Sequence, residues 1–312
     1  MALYLGIDTS NYTTSAALFD SETGKIKQER LLLPVKEGQC GLRQSDAVFH
    51  HTQRLSGVIQ TLFGGVSGQV AAIAVSSRPR NAENSYMPCF TVGFNSARIL
   101  SSVLKIPLYE FLHQEGHIAA ALYSAERFDL FSKSFISFHV SGGTTEGLLV
   151  SPSENGGFNI HIGARTLDLN AGQAIDRVGL MLGCRFPCGK ELEALALSCT
   201  AQIDPAPALK GCDCCLSGLE NRCASLISKG ESKAYVAKYC LKYIENTLRK
   251  MTGALIESDK NAPIVYAGGV MSDVIIREGL SKTFDCVFAK PEFSCDNAAG
   301  IAYLAYRSDN NE

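Results

Sequence analysis

The chain has 312 residues, of which 46% are hydrophobic and 19% charged, a balance typical of folded globular proteins. The formal net charge of -2 excludes a global basic field that would draw nucleic acid, so any RNA contact has to come from a local patch. The opening residues MALYLGIDTS lack the features of a signal peptide, and no run is as long as a membrane span. We therefore predict a cytoplasmic protein without membrane contact.

The first half of the chain predicts three strands followed by alternating helices and strands. LYLGID and TSAALF are β-prone runs separated by a polar turn, and KIKQERLLL follows a second turn. Residues 45–63 and 91–104 predict helices, with AAIAVSS as a buried strand between them. IPLYEF predicts a strand that ends just before His113, and HQEGHIAAALYSA predicts a helix.

The same succession restarts in the second half. SFISFHV, EGLLVS and FNIHIG are three strand-like runs, and helices are predicted over 169–183, 189–199 and 232–257. PIVYAG predicts a buried strand, VMSDVIIREGL a helix, CVFAK a last strand, and Asp296 the start of a final helix. The repetition predicts a duplicated α/β fold with a ligand cleft between two lobes. We expect the lobes to span 1–130 and 131–295, with the helix at 296–312 packing back on the first.

Three turns rich in glycine or hydroxyl groups follow or link predicted strands. They are Asp8 to Thr14, Ser141 to Thr145 with Gly142 and Gly143, and Ala267 to Val270 with Gly268 and Gly269. Glycines let backbone amides approach phosphates, and hydroxyls add donors. One strand–turn–strand hairpin in each half, with a late Gly-Gly before a helix, resembles the arrangement of the actin, sugar-kinase and chaperone ATPase superfamily. We therefore expect two actin-like, ribonuclease-H-like (ASKHA) lobes and a nucleotide ligand.

A candidate metal site is formed by two histidines on one predicted helix. His113 and His117 stand at i and i+4, which puts both imidazoles on one face. His139 and Asp296 are candidates for third and fourth ligands, because two histidines alone do not complete a site. The alternative is a solvated helix face. Glu115 lies two residues after His113, so the HExxH pattern of zinc proteases is absent.

The chain contains twelve cysteines, and four of them cluster at Cys212, Cys214, Cys215 and Cys223. Their spacing does not form paired CxxC knuckles. We favour the interpretation that they are small apolar fillers of a buried strand, reduced as in a cytosol. The alternative is a thiol redox site or a second metal site.

Seven segments in order resemble the TsaD family of tRNA threonylcarbamoyl-adenosine synthases, which older descriptions call glycoproteases. They are LGIDTS, HQEGH, HVSGGTTEGLL, TLDLNAGQAIDRVGLMLGCRFPCG, CLSGLEN, YAGGVMSD and CDNAAGIAY. The resemblance runs nearly end to end.

The resemblance implies a function and a set of site residues. The activity is metal-dependent transfer of a threonylcarbamoyl group from an acyl-adenylate to N6 of adenosine in tRNA. The implied catalytic residues are Asp8, Ser10 and Thr13. The implied nucleotide- and substrate-binding residues are Ser141, Gly142, Gly143, Asp176, Gly189, Glu193, Gly268, Gly269 and Asp273. The implied ligands of one iron or zinc ion are His113, His117 and Asp296, and His139 stands where archaeal members place a tyrosine ligand. The implied cofactor ligand is ATP or an acyl-AMP, and the implied macromolecular partners are tRNA and TsaB- or TsaE-like proteins or a second copy of the chain.

The sequence also departs from the family. Tyr12 and Thr13 replace an aspartate and a glutamate near the reacting group, Asp273 replaces an asparagine, and Arg78 and Arg80 enter a loop that is glycine-rich in the family. Either arginine could grip a phosphate or carboxylate, or the loop could simply be solvated. These departures indicate a diverged paralogue. The first alternative function is a nucleotide- and metal-binding regulator or assembly partner with reduced turnover. A sugar kinase and a metalloendopeptidase are weaker alternatives, since neither has its motif here.

Overall fold

The computed structural model describes residues 2–10, 12–34, 42–81, 85–257, 261–294 and 298–311. The chain divides into two compact units. The first unit contains residues 1–132, 152–159 and 292–312, and the second contains 133–151 and 160–291. The hairpin segment 152–159 therefore belongs to the first unit, although it lies within the stretch expected for the second lobe.

The first unit is built on a five-stranded mixed sheet. Its strands are β1 (Ala2–Ser10), β2 (Thr13–Asp20), β3 (Lys25–Leu32), β4 (Gln69–Arg78) and β5 (Leu108–Leu112), in the spatial order β3-β2-β1-β4-β5. β1 pairs antiparallel with β2 and parallel with β4, and β4 pairs parallel with β5. Its helices are α1 (Gln44–Phe63), α2 (Phe90–Leu104), α3 (His113–Ser124) and the C-terminal α9 (Ala299–Asp309). Leu5, Ile7 and Ile73 lie in the core between sheet and helices.

The second unit repeats this plan. Its sheet has the order β12-β11-β6-β7-β8, formed by β6 (Phe135–Val140), β7 (Thr145–Pro152), β8 (Phe158–Arg165), β11 (Ile264–Ala267) and β12 (Cys286–Phe288). β6 is antiparallel to β7 and parallel to β11, which is parallel to β12. Its helices are α4 (Ala171–Met181), α5 (Gly189–Leu197), α6 (Ser217–Ser228), α7 (Lys233–Leu255) and α8 (Val274–Ser281), and the short hairpin β9 (Leu209–Lys210) and β10 (Asp213–Cys214) lies between α5 and α6.

The two sheets have matching strand orders. In each, the first strand is central, its antiparallel hairpin partner and one further strand lie on one side, and two parallel strands lie on the other. This confirms the prediction of a duplicated, actin-like α/β fold. The apolar stripe of α7 supplies much of the second core, since Val236, Leu248 and Met251 are fully buried there.

Helices α3 and α9 pack closely in the first unit because glycines lie at their crossing. A Cβ on Gly300 would stand 2.6 Å from the backbone nitrogen of Ala120 and closer still to the carbonyl oxygen of Gly116. Gly116 itself is covered by Ile301. The helix that carries both candidate metal-binding histidines is therefore fixed against the last helix of the chain.

Two element predictions were wrong in detail. The helix expected over VMSDVIIREGL is divided into a 3-10 turn over Gly269–Ser272 and α8, because the Asp273 side chain accepts the amide of Ile276 and caps α8. The buried strand expected around Cys212 is a pair of two-residue strands, in which Cys214 is buried and Cys212 half-buried. Asp296, expected to begin the final helix, lies outside the described residues.

Within the described ranges, no helix is both long enough and apolar enough to cross a bilayer.

Candidate functional site

A polar cluster in the first unit forms where neighbouring parallel strands end. Asp8 is near the end of β1, Ser76 near the end of β4, and His113 directly follows β5. Since these strands are adjacent and parallel, their carboxyl ends bring the three side chains together. Asp8 Oδ2 lies 2.7 Å from His113 Nδ1 and accepts the Ser76 hydroxyl.

The second histidine completes the cluster from the next turn of α3. His117 Nε2 lies 2.9 Å from His113 Nε2, and both rings are half-buried. The i, i+4 spacing has therefore brought the two imidazoles together. Among the described residues, no group of three or more His, Cys, Asp or Glu side chains has the arrangement of a metal site. Asp296, the carboxylate that the resemblance adds to this pair, lies outside the described residues.

Asp8 is a fully buried carboxylate with several donors around it. Its Oδ1 accepts the backbone amide of Ser10 at 2.9 Å, in addition to the two bonds to Oδ2. Burial alone would raise the pKa of Asp8, but the charge and hydrogen bond of His113, with the bonds from Ser76 and Ser10, hold it below its usual value. Asp8 is therefore an ionised side chain that only accepts hydrogen bonds.

The hairpin after Asp8 carries the other residues expected to be catalytic. Ser10 and Thr13 pair across β1 and β2 and are both buried, and Ser10 Oγ is buried without a hydrogen-bond partner among the described residues. Tyr12 is at the tip and is 38% exposed, while Asn11 lies outside the described residues. Ser10 Oγ is therefore a buried polar atom, next to a buried carboxylate, whose hydrogen-bonding capacity is unused among the described residues.

The geometry of Glu115 does not suit a catalytic base. Its Oε2 accepts the amide of Leu112 at 2.6 Å, and its Oε1 accepts that of Phe158 at 2.8 Å. Both oxygens thus hold backbone amides, one at the start of α3 and one in the segment 152–159. This geometry agrees with the absence of the HExxH pattern, which also argues against a zinc-protease site.

In the second unit the glycine turns converge. Gly142 and Gly143 are exposed, and a Cβ on either would meet open space. Gly268, at φ 102, packs on the backbone of Val140, which directly precedes Ser141. Gly269 beside it is exposed and open.

Gly172, which the sequence analysis did not single out, also belongs to this surface. Its amide donates to the Ser141 carbonyl at 3.1 Å, and a Cβ there would stand 2.6 Å from the amide nitrogen of Gly142. The Thr145 hydroxyl accepts the amide of Ala171, so the first turn of α4 is fixed to the Ser141–Thr145 turn. In the sequence, the pair of small residues Ala171 and Gly172 at the start of a predicted helix could have indicated this close contact.

The three carboxylates expected to bind nucleotide each hold a backbone amide. Asp176 Oδ1 accepts that of Cys188 at 2.8 Å, directly before Gly189, and Glu193 Oε1 accepts that of Val274 at 2.6 Å. Asp273 is 9% exposed, and burial followed by the charge of Glu193 raises its pKa to about 6. Gly189 and Glu193 share one face of α5. These acids thus shape the loops around Gly189 and Gly269.

The remaining candidates lie on β6 and around the end of β4. His139 is half-buried near the end of β6, where it pairs in register with Glu146 and Ala267. Arg78 and Arg80 are exposed, and Arg78 bonds to Asn81 within its own loop.

Comparison with known proteins adds a family and a fold. The family model described as TsaD, tRNA N6-adenosine threonylcarbamoyltransferase, matches residues 36–303, which is more than half of the chain. The activator of 2-hydroxyisocaproyl-CoA dehydratase from Clostridium difficile with bound ADPNP is 12% identical, with a TM-score of 0.53 over 99% of this chain and 96% of that one. Component A of (R)-2-hydroxyglutaryl-CoA dehydratase from Acidaminococcus fermentans is 14% identical, with a TM-score of 0.57 over 99% and 100%.

Full-length HypF in its phosphate- and nucleotide-bound form is 12% identical to this chain, with a TM-score of 0.61. The match covers 99% of this chain and 46% of HypF. At these identities the three structures show the fold alone.

Proposed function

Because the chain belongs to the TsaD family of tRNA N6-adenosine threonylcarbamoyltransferases, we propose that it transfers a threonylcarbamoyl or related carbamoyl group from an acyl-adenylate to an amine. The acceptor that the family description gives is N6 of an adenosine in tRNA. The observation that carries the proposal is the cluster of Asp8, His113 and His117, in which two imidazole nitrogens converge beside a buried carboxylate.

The histidine pair fits one divalent ion. Nitrogens that are each about 2.0–2.1 Å from a shared ion lie roughly 3 Å apart, and the two Nε2 atoms are separated by 2.9 Å. Imidazole ligands suit zinc and iron. When bound, the ion would supply Lewis-acid stabilisation of charge on the phosphate or carbonyl oxygens of the substrate. His139 and Asp296 stay predictions as further ligands.

We infer that the nucleotide binds to the second unit. Gly142, Gly143, Gly189 and Gly269 have no atom within 4 Å of an added Cβ, so a phosphate or nucleoside could approach their backbone. Two proteins of this fold are described with bound nucleotide, which supports assigning ATP or an acyl-AMP here. Asp176, Glu193 and Asp273 would hold the surrounding loops in place and add acceptors for ribose or base.

The reaction is an acyl transfer with simple atom balance. The amine nitrogen attacks the carbamoyl carbon, the bond from that carbon to the phosphate oxygen breaks, and AMP leaves with the electron pair, its phosphate taking the proton that the amine loses. The replacements at Tyr12 and Thr13 leave no carboxylate at these positions to take that proton. Ser10 and Thr13 would act by hydrogen bonding to the substrate instead.

A reconstituted transfer assay tests the proposal. Purified protein of measured metal content is mixed with threonylcarbamoyl-AMP and unmodified tRNA, with and without TsaB- and TsaE-like proteins, and the nucleosides are analysed by mass spectrometry. We expect threonylcarbamoyl-adenosine with wild type and at least a roughly 100-fold loss in His117→Gln. His161→Gln is the control, because His161 is exposed in the second unit.

The assay also separates the alternative. A protein that binds metal and nucleotide but forms no modified nucleoside under any of these conditions would reject transfer to tRNA and favour the regulator or assembly partner.

A further inference from the structure

We propose that Asp8 is a positioning residue for a metal ligand, holding His113 in the tautomer and orientation that present its Nε2 to the ion. The inference rests on the metal-dependent function proposed above. It differs from the catalytic role that the resemblance implies for Asp8, because it assigns this carboxylate no contact with substrate.

The first step of the argument is the direction of the hydrogen bond. Asp8 is a buried carboxylate whose Oδ1 accepts the Ser10 amide and whose Oδ2 accepts the Ser76 hydroxyl, so both of its oxygens act as acceptors. With Oδ2 at 2.7 Å from His113 Nδ1, the proton of that bond has to be on Nδ1. A neutral imidazole with its proton on Nδ1 has its lone pair on Nε2, which is the form that binds a metal.

The second step is where that lone pair points. His113 Nε2 lies 2.9 Å from His117 Nε2, so in the neutral ring with its proton on Nδ1 the lone pair faces the second imidazole. Without an ion, His117 can donate its own Nε2 proton across this short distance. An ion would take the place of that proton, and both nitrogens would then be ligands.

The third step is that the carboxylate itself cannot turn. Oδ1 is held by the Ser10 amide at 2.9 Å and Oδ2 by the Ser76 hydroxyl, and Asp8 is 0% exposed. These donors come from β1 and β4, which are paired in the sheet. The Asp8 carboxylate is therefore held rigidly in the sheet, and its hydrogen bond fixes the orientation of the His113 ring on α3.

The same contacts argue against Asp8 as a direct ligand or a general base. Both of its oxygens already accept hydrogen bonds, and neither is open to solvent. A carboxylate that hydrogen-bonds a ligating histidine on its far nitrogen is a recurrent outer-shell arrangement, and its loss typically weakens metal binding by about 10–100-fold.

The experiment measures metal affinity and ring tautomer in three proteins. Wild type, Asp8→Asn and Asp168→Asn are stripped of metal and titrated with Zn²⁺ against a competing chelator. Asparagine keeps the size of Asp8 but carries no charge. Asp168→Asn removes the same charge from a carboxylate of the second unit, where Asp168 accepts the amides of Leu216 and Leu169. The tautomer of His113 is read from ring ¹⁵N–¹H correlations in the metal-free proteins.

We expect His113 to carry its proton on Nδ1 in wild type and in Asp168→Asn, and Asp8→Asn to bind Zn²⁺ about 10–100-fold more weakly. The control should stay within about twofold of wild type. A wild-type ring protonated on Nε2, or an Asp8→Asn affinity equal to wild type, would overturn the inference alone. A wild type that binds no metal would overturn the metal-dependent function as well. If Asp8→Asn does not fold, the wild-type tautomer still decides.

Discussion

Gly268 lies directly against the backbone of Val140, so that a Cβ at position 268 would stand 2.8 Å from the Val140 nitrogen and closer still to its carbonyl group. Gly268 also has φ 102, which disfavours any residue with a Cβ. This contact brings the turn that begins at Gly268 against the end of β6. The next residue, Gly269, has neither constraint.

Because of this difference, we expect substitution of Gly268 by alanine to affect stability and the same substitution of Gly269 to affect nucleotide binding. Gly268→Ala should destabilise the protein by about 3 kcal/mol or more, because it combines backbone strain with a clash against backbone atoms. Gly269→Ala should change stability by less than about 1 kcal/mol and instead weaken nucleotide binding, since its methyl group would occupy the surface proposed for the ligand. Urea unfolding and nucleotide titration of both variants check this. Equal losses of stability would contradict it.

We expect removal of the Asp273 charge to stabilise the protein at high pH and to have little effect at low pH. In the folded protein the pKa of the Asp273 carboxyl group is about 6, above the ordinary 3.8. The neutral carboxyl group therefore favours the folded state fully below pH 3.8, and this contribution to the free energy of unfolding is lost as the pH rises through 6. The difference corresponds to roughly 3 kcal/mol at most above pH 7. Asp273→Asn keeps the acceptor for the Ile276 amide and removes the cost of ionisation.

We therefore expect Asp273→Asn to unfold at higher urea concentration than wild type at pH 8 and at a similar concentration at pH 4. Unfolding curves at the two pH values measure this. A variant that is less stable than wild type at pH 8 would show that the carboxylate charge stabilises the cap of α8.

Much of this architecture follows from local patterns in the sequence, and the polar contacts do not. Hydrophobic runs and turns predicted the two repeated blocks, and the i, i+4 spacing predicted that His113 and His117 meet. The hydrogen bond between His113 and its acceptor Asp8 joins residues 105 positions apart and depends on the order β1-β4-β5, which no local pattern contains. Likewise, the bond that Glu193 accepts from the Val274 amide joins two helices 81 positions apart, which no local pattern relates.

The cysteines predict a graded pattern of alkylation. Burial raises the pKa of Cys89 to about 12 and that of Cys214 to about 11, so both thiols are unreactive as well as inaccessible. Cys199, Cys212 and Cys215 are only half-buried. With iodoacetamide at pH 8, we expect these three to be labelled at least about 10-fold faster than Cys89 and Cys214 in the folded protein. Peptide mass spectrometry measures the rates.

The outcome of that labelling separates the two interpretations of the cysteine cluster. If the cluster fills the core, its buried members Cys214 and Cys223 should be labelled only on unfolding, with no release of metal. Rapid labelling of Cys214, or zinc released as Cys212 and Cys215 react, would favour a redox or metal site.

We expect removal of the Glu115 carboxylate to destabilise the protein, beginning in the segment 152–159. Its two oxygens hold the amides of Leu112 and Phe158, so Glu115→Ala leaves two amides without this acceptor and should cost roughly 2–4 kcal/mol. The matched control is Glu110→Ala, because Glu110 is exposed on the neighbouring strand and should contribute less than about 0.5 kcal/mol. Hydrogen exchange should accelerate first in residues 153–158, where Phe158 loses its acceptor. Uniform acceleration across the chain would instead mean that Glu115 supports the whole unit, and an unchanged protein would mean that water replaces it at both amides.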